Sequence, residues 1–298
     1  MKENMLHGWI NLYKPCGMTS NDAVSIIRRK LRIKKVGHGG TLDSLACGVL
    51  PVAIGEGTKI VPFVMGQRKE YVFTVRFGEM RTTDDLDGEI LETCDVFPGP
   101  QEILDKIPFF MGEQQQIPPK YSALKIGGRR ASDLMREGED VELAPRTIMI
   151  YDLELLRQED VRHFTFRLEC SKGFYVRSFA RDIAAVLGTL GCVSYLERTR
   201  VGAMKKENAI LLEKIIEICH IERDYSYVYS IKAVLDDIPA VLVSSEEASD
   251  LRMGRSIPWP DTALNGDVLC LENDLELGIA TANLGLLSPK RNFVYNKE

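Results

Sequence analysis

Apolar and polar positions alternate through Trp9-Ile-Asn-Leu-Tyr13 and stop at Lys14-Pro-Cys-Gly17, which predicts a half-buried strand followed by a turn. A helix is predicted next. Thr19 or Ser20 can cap it, Asp22 falls in its first turn, and Ala23, Val24, Ile26, Ile27 and Leu31 supply an apolar side. Its C-terminal end gathers cations, where the helix dipole favours them. Val36 to Gly48 reads as a small-residue loop, Val49 to Ile54 and Tyr71 to Phe77 as strands, and residues 79–95 as an acidic loop.

Residues 101–112 have helical character, whereas Gln114 to Tyr121 must be extended, because Pro118 and Pro119 each disfavour the helical region for the residue before them. Ala131 to Glu137 is a short helix stopped by Gly138. Thr147 to Leu156 and His163 to Cys170 alternate as strands, and Arg177 to Leu187 reads as a helix closed by Gly188. This irregular interleaving predicts an α+β class with a mixed sheet rather than regular βαβ repeats. Beyond about Asp236 the chain changes to short strand-like runs, Val241 to Ser244, Val268 to Glu272, Gly278 to Ala282 and Phe293 to Tyr295, separated by turn residues. The expected organisation is therefore a main domain over 1–235 and a small β-barrel over 236–298.

Composition supports folding without naming a function: 45% hydrophobic and 27% charged residues are ordinary for a globular protein. No apolar run approaches the roughly 18 residues needed to cross a bilayer, and no leader pattern is recognisable, so a cytoplasmic protein is expected. The seven cysteines, Cys16, Cys47, Cys94, Cys170, Cys192, Cys219 and Cys270, lie at irregular intervals without metal-binding spacing, and read as reduced thiols. A net charge of −5 argues against a nucleic-acid partner until its distribution is considered. Residues 1–60 carry nine Lys/Arg against four acids, including six cations between Arg28 and Lys35. That cluster, Arg28, Arg29, Lys30, Arg32, Lys34 and Lys35, is either a solvated helix end or a phosphate-contacting edge.

Phosphate-loop, zinc-helix and nucleophile-elbow motifs are absent, and four histidines (His7, His38, His163, His220) leave little room for relay chemistry. The most unusual stretch is Gly37-His-Gly-Gly-Thr-Leu-Asp-Ser-Leu-Ala-Cys-Gly48, in which the acid Asp43 lies among residues with small side chains. On spacing alone, Asp43 reads as a turn-capping aspartate.

Ordered blocks change that reading. Gly37-His38, Gly40-Thr-Leu-Asp43, Ala46, Gly48 and Leu50 resemble the signature of the TruB family of pseudouridine synthases. So do Asn11-Leu-Tyr-Lys14-Pro-Cys-Gly-Met-Thr-Ser20, Lys69-Glu-Tyr71, Gln116 to Lys125, Ser171-Lys-Gly-Phe-Tyr175-Val-Arg177-Ser and Leu196-Glu-Arg198-Thr, in the family's order. The resemblance implies an Asp43 nucleophile that attacks C6 of uracil or C1′ of the ribose, an isomerisation needing no cofactor and no metal. It further implies stacking of Tyr71 on the target base, Arg177 paired with Asp43, a uridine pocket lined by Tyr175 and Leu196, and His38 filling the gap left by a flipped base. Lys14, Lys59 and the Arg28–Lys35 cluster would hold phosphates. The implied substrate is uridine 55 in the T arm of tRNA, modified by a monomer without guide RNA, and the C-terminal segment resembles the RNA-binding PUA barrel. Two departures are visible: Gly39, Ser44 and Cys47 replace commoner Thr, Pro and Thr, and Arg81-Thr-Thr-Asp84-Asp-Leu-Asp87 is shifted from the usual Thr-Asp-Thr run, so no contact is assigned there. Two other classes stay open: a non-catalytic tRNA-binding or folding protein, and a carboxylate glycosidase, for which no second acid is evident near Asp43.

Overall fold

The computed structural model describes residues 6–221 and 224–295; the side chains of Cys219 and His220 lie outside the described residues, as do Lys2 and Glu3. A long mixed sheet runs in the spatial order Ile210–Leu211, Gly8–Lys14 (β1), Cys47–Ile54 (β3), Gly191–Val201, Lys69–Phe77 (β4), His163–Cys170, Arg146–Gln158 and Gly112–Gln116. Val36–His38 (β2) pairs alongside β3. Most pairings are antiparallel, while the pairs of β1 with Ile210–Leu211 and of β3 with Gly191–Val201 are parallel. This agrees with the α+β class and the mixed sheet.

One face of the sheet is covered by helices. Ser20–Leu31 (α1) begins at a Thr19 cap, whose hydroxyl accepts from Asp22 N while the Asp22 carboxylate accepts from Thr19 N, and it buries Ala23, Val24 and Ile27. The helix Val176–Val186 is held by Phe179, whose ring lies 5.6 Å from Phe73 and 6.1 Å from Phe166, edge to face in both cases. Burying such a ring contributes on the order of 2 kcal/mol and fixes the helix against the sheet. Phe73 and Phe166 stand opposite each other on paired strands, so register and aromatic packing reinforce one another.

A second, five-stranded sheet, ordered Ala240–Leu242, Gly266–Glu272, Leu275–Asn283, Leu286–Asn292 and Ile257–Pro258, follows the first in sequence. It docks through a shared apolar cluster that joins Trp9, Val49 and Val64 to Leu269, Leu271, Ile279 and Phe293. Buried Glu56 ties the joint by accepting from Val294 N at 2.8 Å and pairing with Lys59 at 2.6 Å.

Several sequence expectations need correction. Val36–His38 is a strand, because pairing with β3 satisfies a backbone that has no periodicity of its own. Residues 79–95 contain the paired strands Glu79–Arg81 and Ile90–Thr93 rather than only loop. Phe293 to Tyr295 lies outside a strand; the strand is Leu286–Asn292, with Pro289 near its irregularity, where a missing N–H is tolerated. The central strand Gly191–Val201 and the helices Leu212–Ile221 and Ser245–Arg252 were not foreseen. The last has a readable signal, a capping box between Ser244 and Glu247.

Candidate active site

Asp43 lies in an irregular segment between β2 and β3 that is tied down along most of its length. Gly39 N donates to Pro51 O at 2.8 Å. Ser20 in the first turn of α1 uses one hydroxyl twice, accepting from Leu42 N at 2.8 Å and donating to Leu42 O at 2.9 Å. Gly17 N donates to Ser44 O at 2.8 Å, and Ser44 Oγ donates to Asp87 at 3.0 Å.

The strongest tie is Arg198, 2% exposed on the central strand. Its guanidinium donates to Val49 O at 2.8 Å, to Gly40 O at 3.0 Å and, at the limit of bonding, to Thr41 O at 3.4 Å. A buried cation surrounded by carbonyls is stable only if its donors are used, and a planar fork uses several at once. Gly48 permits this approach: it has φ 103°, and a Cβ there would stand 2.3 Å from Arg198 O. Sequence reasoning quoted Arg198 within a motif but gave it no role.

Arg177, in the first turn of its helix and 5% exposed, reaches Asp43 from the other side. Its Nη2 donates to Asp43 Oδ1 at 3.1 Å, and its Nε stands 2.9 Å from Oδ2. Nη1 donates to Thr83 O at 2.9 Å and Nη2 also to Tyr121 O at 3.0 Å, whereas the buried Nε, though close to Asp43, makes no hydrogen bond. Buried Asp85 adds a second carboxylate 3.6 Å from Nε. Burial works against the guanidinium charge, but Asp43, Asp85 and Asp84 outweigh it and raise the Arg177 pKa above the ordinary arginine value. The Asp43 side chain itself is 37% exposed against 6% for Arg177, so the acid is partly open to solvent while its cation is buried. Burial pushes Asp84 up to about 6 despite Arg181 at 3.3 Å. Asp84 and Asp85 belong to the shifted run that received no assignment from sequence; a bulky acid with φ 60° at Asp84 turns the chain so that both acids face arginines.

Tyr71 on β4 is buried directly across from Arg198, with Asp43 near enough to influence it electrostatically, and burial raises its hydroxyl to about 12. Tyr175 immediately precedes the Arg177 helix and exchanges two bonds with Gln116, its N–H donating to Oε1 at 2.8 Å and its carbonyl accepting from Nε2 at 3.1 Å. Leu196 is buried opposite Phe73 in the main core. His38 is half-buried at the end of β2; burial, then Arg198, lowers its pKa, and its Nδ1 is a buried atom without a hydrogen-bond partner. The structure thus pairs Asp43 with Arg177 and leaves Tyr71 within electrostatic reach of Asp43.

The expected cations fare differently. Lys14 is fully buried, and its ammonium donates to Pro15 O at 2.8 Å and Met18 O at 2.6 Å, so it braces the turn and has no surface to offer a phosphate. Lys59 is engaged by Glu56 and Asn292 O at the joint between the sheets. Lys35 reaches Glu56 at 3.6 Å, and Arg28 donates to Val36 O at 3.2 Å, while Arg29 and Lys34 are exposed. Among the described residues no group of three His, Cys, Asp or Glu side chains could hold a metal ion, and no helix is long and apolar enough to cross a membrane.

Comparison with known proteins places this geometry. Residues 28–176 match the model of the TruB family pseudouridylate synthase N-terminal domain. Proteins named tRNA pseudouridine synthase B from Caulobacter vibrioides and Bradyrhizobium diazoefficiens are 45% and 43% identical, over 98% and 97% of this chain and 97% and 86% of theirs. A solved Cbf5-Nop10-Gar1 complex contains a chain with TM-score 0.76 and 25% identity, covering 99% of this chain and 88% of that one. A chain of an H/ACA RNP bound to a substrate RNA aligns at TM-score 0.75 over 97% of this chain and 85% of its own, with 23% identity, a likeness of fold. The five-stranded C-terminal sheet is compatible with a PUA-like domain. With an aspartate paired to a buried arginine in the family's motif, and with near full-length relatives above 40% identity, the chain belongs to the TruB family of pseudouridylate synthases.

Proposed function

We propose that this protein is a tRNA pseudouridine synthase that isomerises uridine 55 of the T arm, with Asp43 as nucleophile. The observation that carries the reading is the Asp43 carboxylate, partly open to solvent and paired with the buried Arg177 guanidinium. Such a carboxylate can attack C6 of the uracil or C1′ of the ribose; the C1′–N1 bond breaks, the base rotates, C1′ bonds to C5, and the C5 proton is lost as N1 gains one. Atoms are conserved, so the reaction requires neither oxidant nor cofactor. Tyr71 stacks on the base, and its neutral hydroxyl serves as a relay for the C5 proton. Tyr175 and Leu196 border the uridine.

The target base leaves its stack at a cost of a few kcal/mol, and His38, neutral through burial, packs into the space it vacates. Arg28, Arg29, Lys34 and Lys35 form the phosphate-contacting edge. We assign residues 1–235 to catalysis and 236–298 to a PUA-like RNA-binding domain, in a monomer that works in the cytoplasm without guide RNA.

The test is to map pseudouridine in an unmodified tRNA transcript after incubation with wild type and with Asp43→Ala, adding no cofactor. Modification of the T-arm uridine by wild type, lost in Asp43→Ala with RNA binding intact, is the expected outcome. Binding without modification of any uridine by wild type would leave a tRNA-folding role as the better account.

A further inference from the structure

Two cysteines flank the Asp43 segment and have no part in the chemistry above. Cys16 lies in the exposed turn after β1, and Cys47 is buried four residues beyond Asp43. The two stretches run antiparallel and are anchored on both sides of the cysteines: Lys14 is registered against Gly48, and Gly17 N donates to Ser44 O at 2.8 Å. Between these anchors the two thiols are brought close enough to influence each other electrostatically. Cys47 Sγ also accepts from Tyr13 OH at 3.5 Å and lies 3.8 Å from Tyr195 OH.

We propose that Cys16 and Cys47 form a redox-sensitive pair whose closure into a disulfide displaces the Asp43 segment and slows the enzyme. The chemistry balances with a peroxide as oxidant. The Cys16 thiolate attacks one peroxide oxygen and releases hydroxide, leaving a sulfenic acid. Cys47 then attacks the Cys16 sulfur, and water departs, so that two thiols and one hydrogen peroxide give one disulfide and two waters. Burial holds the Cys16 thiol above its usual value, with Lys14 opposing, which lowers its thiolate fraction and slows its reaction with the oxidant.

The two sulfurs must approach to about 2 Å to bond. Bonding therefore shifts one flank by about an ångström or more, because both sulfurs sit on segments pinned by backbone pairing. Cys16, in the exposed turn, is the partner that moves, since Cys47 is buried in β3 and registered against Glu197. Gly17 N donates to Ser44 O at 2.8 Å, so motion at Cys16 passes directly to the residue beside the nucleophile. A misplacement of that size costs roughly 100-fold in rate when the reacting group is a positioned nucleophile.

This consequence rests on the proposed function, whereas the bond itself does not, and the experiment separates them. The full-length reduced protein is treated with hydrogen peroxide or with glutathione disulfide, alkylated, digested with trypsin without reduction and mapped by mass spectrometry, while single-turnover pseudouridine formation is followed in parallel. Cys16 and Cys47 fall in different tryptic peptides, so a bond between them is directly visible. The expected result is a linked pair, a rate lowered about 10- to 100-fold and restored by dithiothreitol. Cys16→Ser should match the reduced wild type and resist the oxidant. Absence of the linked peptide while half-exposed Cys94 is oxidised overturns the pair, and a linked peptide with an unchanged rate overturns its effect. Failure of reduced wild type to modify tRNA would sink the enzymatic reading and leave the peptide map to judge the thiols.

Discussion

Arg198→Lys keeps the charge at the centre of the sheet and removes the fork. In the native protein two strong charge-assisted bonds, to Val49 O at 2.8 Å and Gly40 O at 3.0 Å, hold the strand after the nucleophile and the segment before it. The 3.4 Å contact to Thr41 O adds little. A lysine ammonium is a single point on a flexible stem and can keep one of the two partners, leaving a carbonyl short of its bond in a site that is 2% exposed. One lost charge-assisted bond together with the unsatisfied carbonyl costs about 2–4 kcal/mol. Because Gly40 lies three residues before Asp43, the loosened anchor also lowers kcat by about 10- to 100-fold, with a smaller effect on tRNA affinity. Urea denaturation gives the first quantity, and single-turnover kinetics with filter binding gives the second. An Arg198→Lys protein with native midpoint and native kcat would refute the reasoning; a lower midpoint with unchanged kcat would show that Arg198 supports the sheet without positioning Asp43.

Three further outcomes follow from particular contacts. Tyr71→Phe keeps the buried ring and its stacking surface, so tRNA affinity and folding should be native while the chemical step slows at least about tenfold; equal rates would remove the hydroxyl from the mechanism. Lys69 is buried, which lowers its pKa from 10.5 to about 8 although its ammonium donates to Gln67 O at 2.6 Å. Between those values the unfolded chain binds more protons than the folded one, so stability gained from this group rises from pH 8 to 10.5 by at most about 3 kcal/mol, and Lys69→Met should flatten that part of the pH–stability curve relative to wild type. Glu56→Gln exchanges a buried carboxylate, held by Lys59 at 2.6 Å and Val294 N at 2.8 Å, for an amide, and should loosen the C-terminal sheet by about 2–4 kcal/mol, seen as faster limited proteolysis within residues 240–292 while the main sheet resists.

The sequence by itself determined the α+β class, the strands at Trp9–Tyr13, Val49–Ile54 and Tyr71–Phe77, and the capped first helix, because each of these has local periodicity or a local capping group. Its ordered motifs also singled out Asp43, Tyr71 and Arg177; the fold pairs the first with the last from a loop and a helix far apart in the chain and leaves Tyr71, on a strand, within electrostatic reach. Tertiary structure alone decided the central strand Gly191–Val201, whose buried Glu197 and Arg198 hide it from any hydrophobic pattern and are tolerated only because distant partners satisfy them. It decided too that Lys14 and Lys59 are braces within the protein, since a lysine on a sequence row looks the same whether its ammonium meets water or carbonyl oxygens. The proximity of Cys16 and Cys47 belongs to the same class: 31 positions separate them in sequence, and only the pairing of β1 with β3 makes them neighbours. Local pattern reports where backbone and side chains prefer to go one at a time, whereas the burial of a charge or the meeting of two thiols depends on partners that only the folded chain supplies.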